Sequence, residues 1–145
     1  MTPTPLEPEQ PPSRPLPHIF VDRSLGSIQV PRLLRAAGLQ LTTMAEHYGE
    51  QRGQGLGDQD WIAESARLEW IAFHKDDAIR RNEAEKVAVR RTGARCFCVP
   101  RANLMAAQAA QRYLDNLVAI AKAAVEPGPF IYSVYPNEIR LVPLD

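Results

Sequence analysis

The stretch "HIFVDRSLGSIQVPRLLRAAGLQLTT", residues 18–43, decides the fold. Three large apolar residues, Ile19 to Val21, end abruptly at Asp22, which predicts a short buried strand over 19–22. "VPRLLRAA" (30–37) predicts a helix, with Pro31 in its first turn and Gly38 just past its end. Residues 39–43 then predict a second strand, rich in threonine. Strand, helix and strand in that order imply a parallel pair joined by a crossover.

The same alternation continues outward. "WIAFH" (70–74) and "RCFCV" (95–99) predict a third and a fourth strand. Continuous apolar runs of this kind suit a sheet covered on both faces. A helix is expected from about Asp60 to Glu69. Asn82 and Glu85 have the spacing of a capping box for a helix over 83–91, which Gly93 closes. Asn103 is the expected cap of one long alanine-rich helix over 104–124. "FIYSVYPNEIRLV" (130–142) reads as two strands around a Pro-Asn turn. "YGEQRGQGLGD" (48–58), with four glycines, reads as a flexible loop. The expected fold is α/β, three layers with a mostly parallel central sheet.

Composition excludes several classes. The 145 residues fit one domain, and formal net charge is zero, which leaves no global attraction for nucleic acid or membrane. Cys96 and Cys98 lie one residue apart in an apolar run, a spacing that suits buried free thiols in a reducing compartment. No apolar stretch reaches the roughly 18 residues of a membrane span, and the N-terminus lacks the form of a signal peptide. A cytoplasmic location is expected. Residues 1–17 hold seven of the thirteen prolines and are expected to form a disordered tail before a domain over 18–145.

Chemistry is sought at the strand ends. Asp76 and Asp77 follow the third strand as Asp22 follows the first, Asp58 and Asp60 enter the helix of Trp61, and Glu46 follows the second strand. In a parallel sheet these positions gather at or beside one edge. Clustered carboxylates repel, and an all-oxygen donor set indicates Mg²⁺ or Mn²⁺. Each acid also has a plain alternative: Asp58 or Asp60 as a helix cap, Glu46 as solvated loop. Around these acids, Arg23, Lys75, Arg80 and Arg81 supply positive charge for phosphate. Between positions 75 and 101 there are eight basic residues against four acids.

"FVDRSLG", "DQDWIAESARLEWIAFHKDDAIRR" and the closing "GPFIY" together resemble the PIN-like nucleases, in particular the compact toxins of the VapC kind. The resemblance covers about residues 18–135. It implies a PIN-like α/β/α fold and a Mg²⁺- or Mn²⁺-dependent endoribonuclease. It also implies a toxin paired with a cognate antitoxin protein. Carried onto this chain, Asp58 is the helix-entry acid, three residues before Trp61, and Asp76 is the acid of the turn after the third strand. Asp22, Asp58 and Asp76 would then be the catalytic, metal-holding set, with Glu46 as a fourth ligand. His74 departs from the pattern, standing where the family turn has threonine, and the glutamate-bearing insertion of larger PIN domains is replaced by the glycine-rich segment.

Metal-assisted phosphodiester hydrolysis needs no nucleophilic side chain, and the chain has neither a phosphate loop nor a Ser-His-Asp arrangement. A competing expectation is a catalytically inactive PIN-like subunit that binds or regulates. A receiver-like phosphoryl-transfer domain is disfavoured, because Asp22 lacks an acidic neighbour. The aromatic content of 130–142 suits either core or an interface, so a homodimer stays among the expected assemblies.

Overall fold

The structure, a computed structural model, describes residues 16–75, 83–100 and 103–145. The elements in chain order are β1 (Ile19–Val21), a 3-10 turn (Arg23–Leu25), α1 (Gln29–Ala36), β2 (Leu41–Thr43), α2 (Met44–Tyr48), α3 (Glu50–Gly55) and α4 (Asp58–Arg67). They continue with β3 (Ile71–His74), α5 (Glu83–Thr92), β4 (Arg95–Cys98), α6 (Ala106–Asp115), α7 (Leu117–Ala124), β5 (Phe130–Tyr135) and β6 (Glu138–Leu141).

Six strands form one sheet in the order β2-β1-β3-β4-β5-β6, all parallel except the last pair. The two-residue turn Pro136-Asn137 reverses the chain into β6, as its sequence predicts. From β1 the chain first steps outward to β2 and then returns to add β3 on the other side. That reversal makes the carboxyl ends of β1 and β3 a topological switch point, where open α/β sheets place their ligand crevice.

Strand alternation sorts the core into two layers. Ile19, Val21, Ile71, Phe73 and Phe97 face α1 and α6, while Phe20, Ala72 and Cys96 face the layer of Trp61 and Val89 on α4 and α5. Both cysteines are buried on this second face as thiols, not as a disulfide.

Three expectations fail. The glycine-rich segment is not a loop but the helices α2 and α3. Gly49, at φ 88°, makes the turn between them, a conformation an L side chain rarely adopts. Gly53 lets α3 close on α2, since a Cβ there would lie 3.4 Å from the Met44 carbonyl oxygen. Second, the long alanine-rich helix is divided at Asn116. The Asn116 amide donates to the carbonyls of Arg112 (2.8 Å) and Tyr135 (2.7 Å), anchoring the break to β5. Third, Asn103 is not the cap of α6: Met105 takes that place, its N–H donating to Gln108 Oε1 at 2.9 Å.

The expected tail lies mostly outside the described residues. Leu16 is described, and it packs against the core. The Asn82 cap also lies outside them. No helix among the described residues is long and apolar enough to cross a membrane.

Candidate metal centre

Asp22 sits at the switch point. Its backbone N–H donates to the Phe73 carbonyl at 3.0 Å, continuing the β1–β3 ladder by one residue. Its Oδ2 accepts from the Ser24 N–H at 3.2 Å, so Asp22 also caps the turn that follows. Ser24 Oγ in turn accepts from the Lys75 N–H at 2.9 Å, tying that turn to the end of β3. The other oxygen, Oδ1, is buried and finds no hydrogen-bond partner among the described residues. Burial pushes the Asp22 carboxyl up from the ordinary aspartate range; the Ser24 bond opposes this and the Asp58 charge adds to it. A buried carboxylate with one bare oxygen is short of positive charge.

Asp58 opens α4. Of the two acids that could cap this helix, Asp60 does so, its Oδ2 accepting from the Gly57 N–H at 3.0 Å. Asp58 is thereby left to face the sheet. Its Oδ1 accepts from Trp61 Nε1 at 2.9 Å, and its carboxyl is hydrogen-bonded to that of Glu85 on α5. Burial raises the Asp58 carboxyl, but the bonds from Glu85 and Trp61 outweigh it and leave it below the usual range. A bond between two carboxyl groups needs a proton on one of them, because an ionised carboxylate only accepts. This is a second sign of missing positive charge.

Glu85 is the residue that sequence reasoning missed. It read as the far half of a capping box and does not follow a strand. Only the packing of α5 on α4 brings it to Asp58. Its one sequence signal is its place in the first turn of a helix beginning shortly after Asp76.

His74 ends β3 and is 1% exposed, on the same sheet face as Asp22. Its ring lies 5.3 Å from that of Trp61, and its Nε2 has no partner among the described residues. Burial pushes the imidazole down to about 4, against an opposing pull from Asp58, so His74 is neutral at pH 7.

The other candidates take other places. Glu46 accepts from the Thr43 N–H at 2.9 Å in a capping box and pairs with Arg35 at 2.6 Å. Arg23 donates from Nη1 to the carbonyls of Gly53 and Leu56, both at 3.0 Å, and so straps the end of α3 to the site. His47 Nε2 lies 2.7 Å from Glu64 Oε2 on α4. Asp76, Asp77, Arg80 and Arg81 lie outside the described residues.

Among the described residues, no group of three or more His, Cys, Asp or Glu side chains could hold an ion. The donors that do converge nevertheless suit a divalent cation. Asp22 offers a buried oxygen without a partner among the described residues, and the Asp58 charge acts on it.

Residues 17–101 match the family described as "PIN like domain". A Mycobacterium tuberculosis (strain ATCC 25618 / H37Rv) protein named "Putative ribonuclease VapC45" is 60% identical over 124 residues, covering 86% of this chain and 90% of that one. No solved structure matches the chain significantly.

Proposed function

The chain belongs to the PIN-like family, and from that premise we propose that it is a divalent-cation-dependent endoribonuclease, the toxin of a toxin–antitoxin pair. The relative named as a ribonuclease supports RNA as substrate. The observation that carries the metal reading is Asp22: a buried carboxylate at the switch point, with one oxygen lacking a partner among the described residues and Asp58's charge pressing on it.

Asp22 and Asp58 would hold the cation, with Asp76 joining them from its place two residues past β3 in sequence. When bound, the cation activates water at neutral pH and stabilises charge on the phosphodiester. The protein's own part is positional. The β1–β3 ladder fixes Asp22, Trp61 orients Asp58, and Ser24 locks the turn between β1 and Lys75. Lys75, Arg80, Arg81 and Arg23 supply the positive charge for RNA phosphates, a modest set consistent with zero net charge. Glu46 stays outside the proposed ligand set, its carboxylate already engaged by Arg35 and Thr43. The partner is a cognate antitoxin protein, and the site of action is the cytoplasm.

The test is incubation of purified protein with total cellular RNA, with Mg²⁺, with Mn²⁺ and with chelator, followed by mapping of cleavage ends. Discrete, cation-dependent ends that vanish in Asp22→Asn are expected. Folded protein that binds RNA but never cuts it would favour the inactive regulatory reading. For the toxin assignment, expression of the chain alone should slow growth, and coexpression with the neighbouring gene product should relieve it.

A further inference from the structure

β6 ends the sheet on one side, and among the described residues no strand lies beyond it. Its register with β5 fixes which backbone groups face outward. The Val142 N–H donates to the Ile131 carbonyl at 2.8 Å, so in the same ladder Arg140 and Glu138 exchange bonds with Ser133 and Tyr135. The N–H and C=O groups of Ile139 and Leu141 therefore point away from β5. Pro143 follows and has no N–H to offer, so the outward ladder ends there. An open edge of this kind is a template for pairing with another chain.

The side chains of this edge select one partner. Ile139 packs against the first core layer, and Leu141, on the same face, is 63% exposed. On the other face Arg140 Nε donates to Glu138 Oε1 at 2.9 Å, and the guanidinium lies over the Tyr135 ring. Charges on an edge strand ordinarily keep other chains away. Here the two signs differ, so their effect depends on register. In an antiparallel pairing of two β6 strands about a two-fold axis, an axis through Arg140 sets that residue opposite its own copy. An axis through Glu138 does the same with two carboxylates, and like charges directly opposite repel. An axis through Leu141 sets Ile139 opposite Pro143, which cannot donate. An axis through Ile139 sets each Glu138 opposite an Arg140 of the other copy.

We propose that β6 joins two copies of this chain as an antiparallel pair centred on Ile139, which makes one continuous sheet across both. At the centre the two Ile139 backbones exchange a pair of hydrogen bonds, and Leu141 faces Asn137 of the other copy. Glu138 and Arg140 of opposite copies then form the closely spaced pairs beside that centre, with Cα atoms about 4.5 Å apart. Both ion pairs form together, which gives the self-complementary surface that a two-fold interface requires. On the other face each Leu141 reaches the Ile139 of the other copy diagonally and loses exposed apolar surface. The two-fold axis reverses strand direction, so the edges that carry Asp22 lie on opposite sides of the joint sheet. No part of this pairing depends on a bound cation.

The experiment follows the mass of tag-free, full-length protein by analytical ultracentrifugation over a range of concentrations. Wild type should pass from monomer to dimer as concentration rises. Glu138→Arg alone and Arg140→Glu alone each set like charges opposite one another in the seam, and each should weaken dimerisation by about tenfold or more. Mixing the two variants restores opposite charges at both positions, so the mixture should dimerise where neither variant does by itself. Ile139→Pro removes the central N–H, which β5 does not use, and should give a folded monomer. The mixing result decides even if Ile139→Pro fails to fold. Wild type that stays monomeric at every concentration would overturn the pairing, and so would charge variants that stay monomeric when mixed. A dimer left intact by both charge reversals would overturn it too, because that dimer must use another surface.

Discussion

The two faces of the sheet are built for different ends. Toward α1 and α6 the strands present mainly apolar side chains, Ile19 and Val21, Ile71 and Phe73, Phe97, with Thr43 on β2 and Arg95 on β4 in the same lateral rows. A polar atom deep in that layer, the Tyr113 hydroxyl, is bonded to the carbonyls of His74 and Phe97. The opposite face starts in the same way, with Phe20, Ala72, Cys96 and Ile131 in lateral register. One step further along the strands comes the row Asp22, His74, Cys98 and Ser133, all buried and all polar but the cysteine. Three of these four keep an atom without a partner among the described residues. The first face can only stabilise. The second gives up stability at its carboxyl edge for groups that something else must satisfy.

Asp22→Asn should break this contrast most severely. Without metal, the raised carboxyl means that the folded protein keeps a proton the unfolded chain has released. Stability therefore falls as pH rises from the ordinary aspartate value through the raised one. The variant lacks that loss, so metal-free melting at neutral pH should be no lower than in wild type. RNA cleavage should drop by roughly three to five orders of magnitude, since a ligand that helps generate the nucleophile is gone. A variant that melts lower yet cuts at the wild-type rate would make Asp22 a structural cap and nothing more.

Phe97→Ala on the other face should do the reverse. Phe97 is fully buried and packs against Phe73, Phe130 and Tyr132. Its truncation should cost about 3–5 kcal/mol in denaturant melts. The fraction that stays folded should keep its Mn²⁺ affinity. Weakened metal binding in that folded fraction would mean that the two faces are not separable.

The strands and the switch point were legible in the sequence because apolar runs and helix stop signals are local. Asp22 was found for the same reason: a strand end is visible in one dimension. The glycine segment was misread because turn residues mark flexibility only when nothing packs on them. Here Gly53 fits against the Met44 backbone, and Arg23 holds the carbonyls of Gly53 and Leu56 from some thirty positions away. The break at Asn116 depends likewise on a carbonyl of β5. Asp58 and Asp60 share one sequence environment, and only the rotation of α4 distinguishes the cap from the inward acid. Glu85 needed the docking of α5.

A pH titration sharpens the polar face. His74 is held at about 4 in the folded protein and returns to about 6.5 when unfolded. Between those values the unfolded chain binds the extra proton, so stability is lost as pH falls through this window. The full loss is roughly 3 kcal/mol, an order-of-magnitude figure for a wholly buried ring. Measuring it in the Asp22→Asn background removes the opposing slope of that carboxyl. Replacing His74 with threonine there should flatten the acid limb between pH 6.5 and 4. An unchanged limb would show that His74 does not titrate on unfolding.

The smallest effect is expected at Glu46, which the sequence set beside the three aspartates as a further ligand. Its carboxylate accepts from the Thr43 N–H and pairs with Arg35, and the Thr43 hydroxyl accepts from the Glu46 N–H to complete the box. The ion pair is largely solvent-exposed and contributes little on its own. Losing the box should cost about 1 kcal/mol. Glu46→Ala should therefore lower the melting point slightly, while Mn²⁺ affinity and RNA cleavage stay at wild-type levels. Glu46→Gln should lose still less, because its amide oxygen can accept from the same N–H. If Glu46 were a fourth ligand, both variants would weaken metal binding tenfold or more, whatever their melting points. Calorimetry on the two variants separates these outcomes, since a lost cap moves stability and a lost ligand moves affinity.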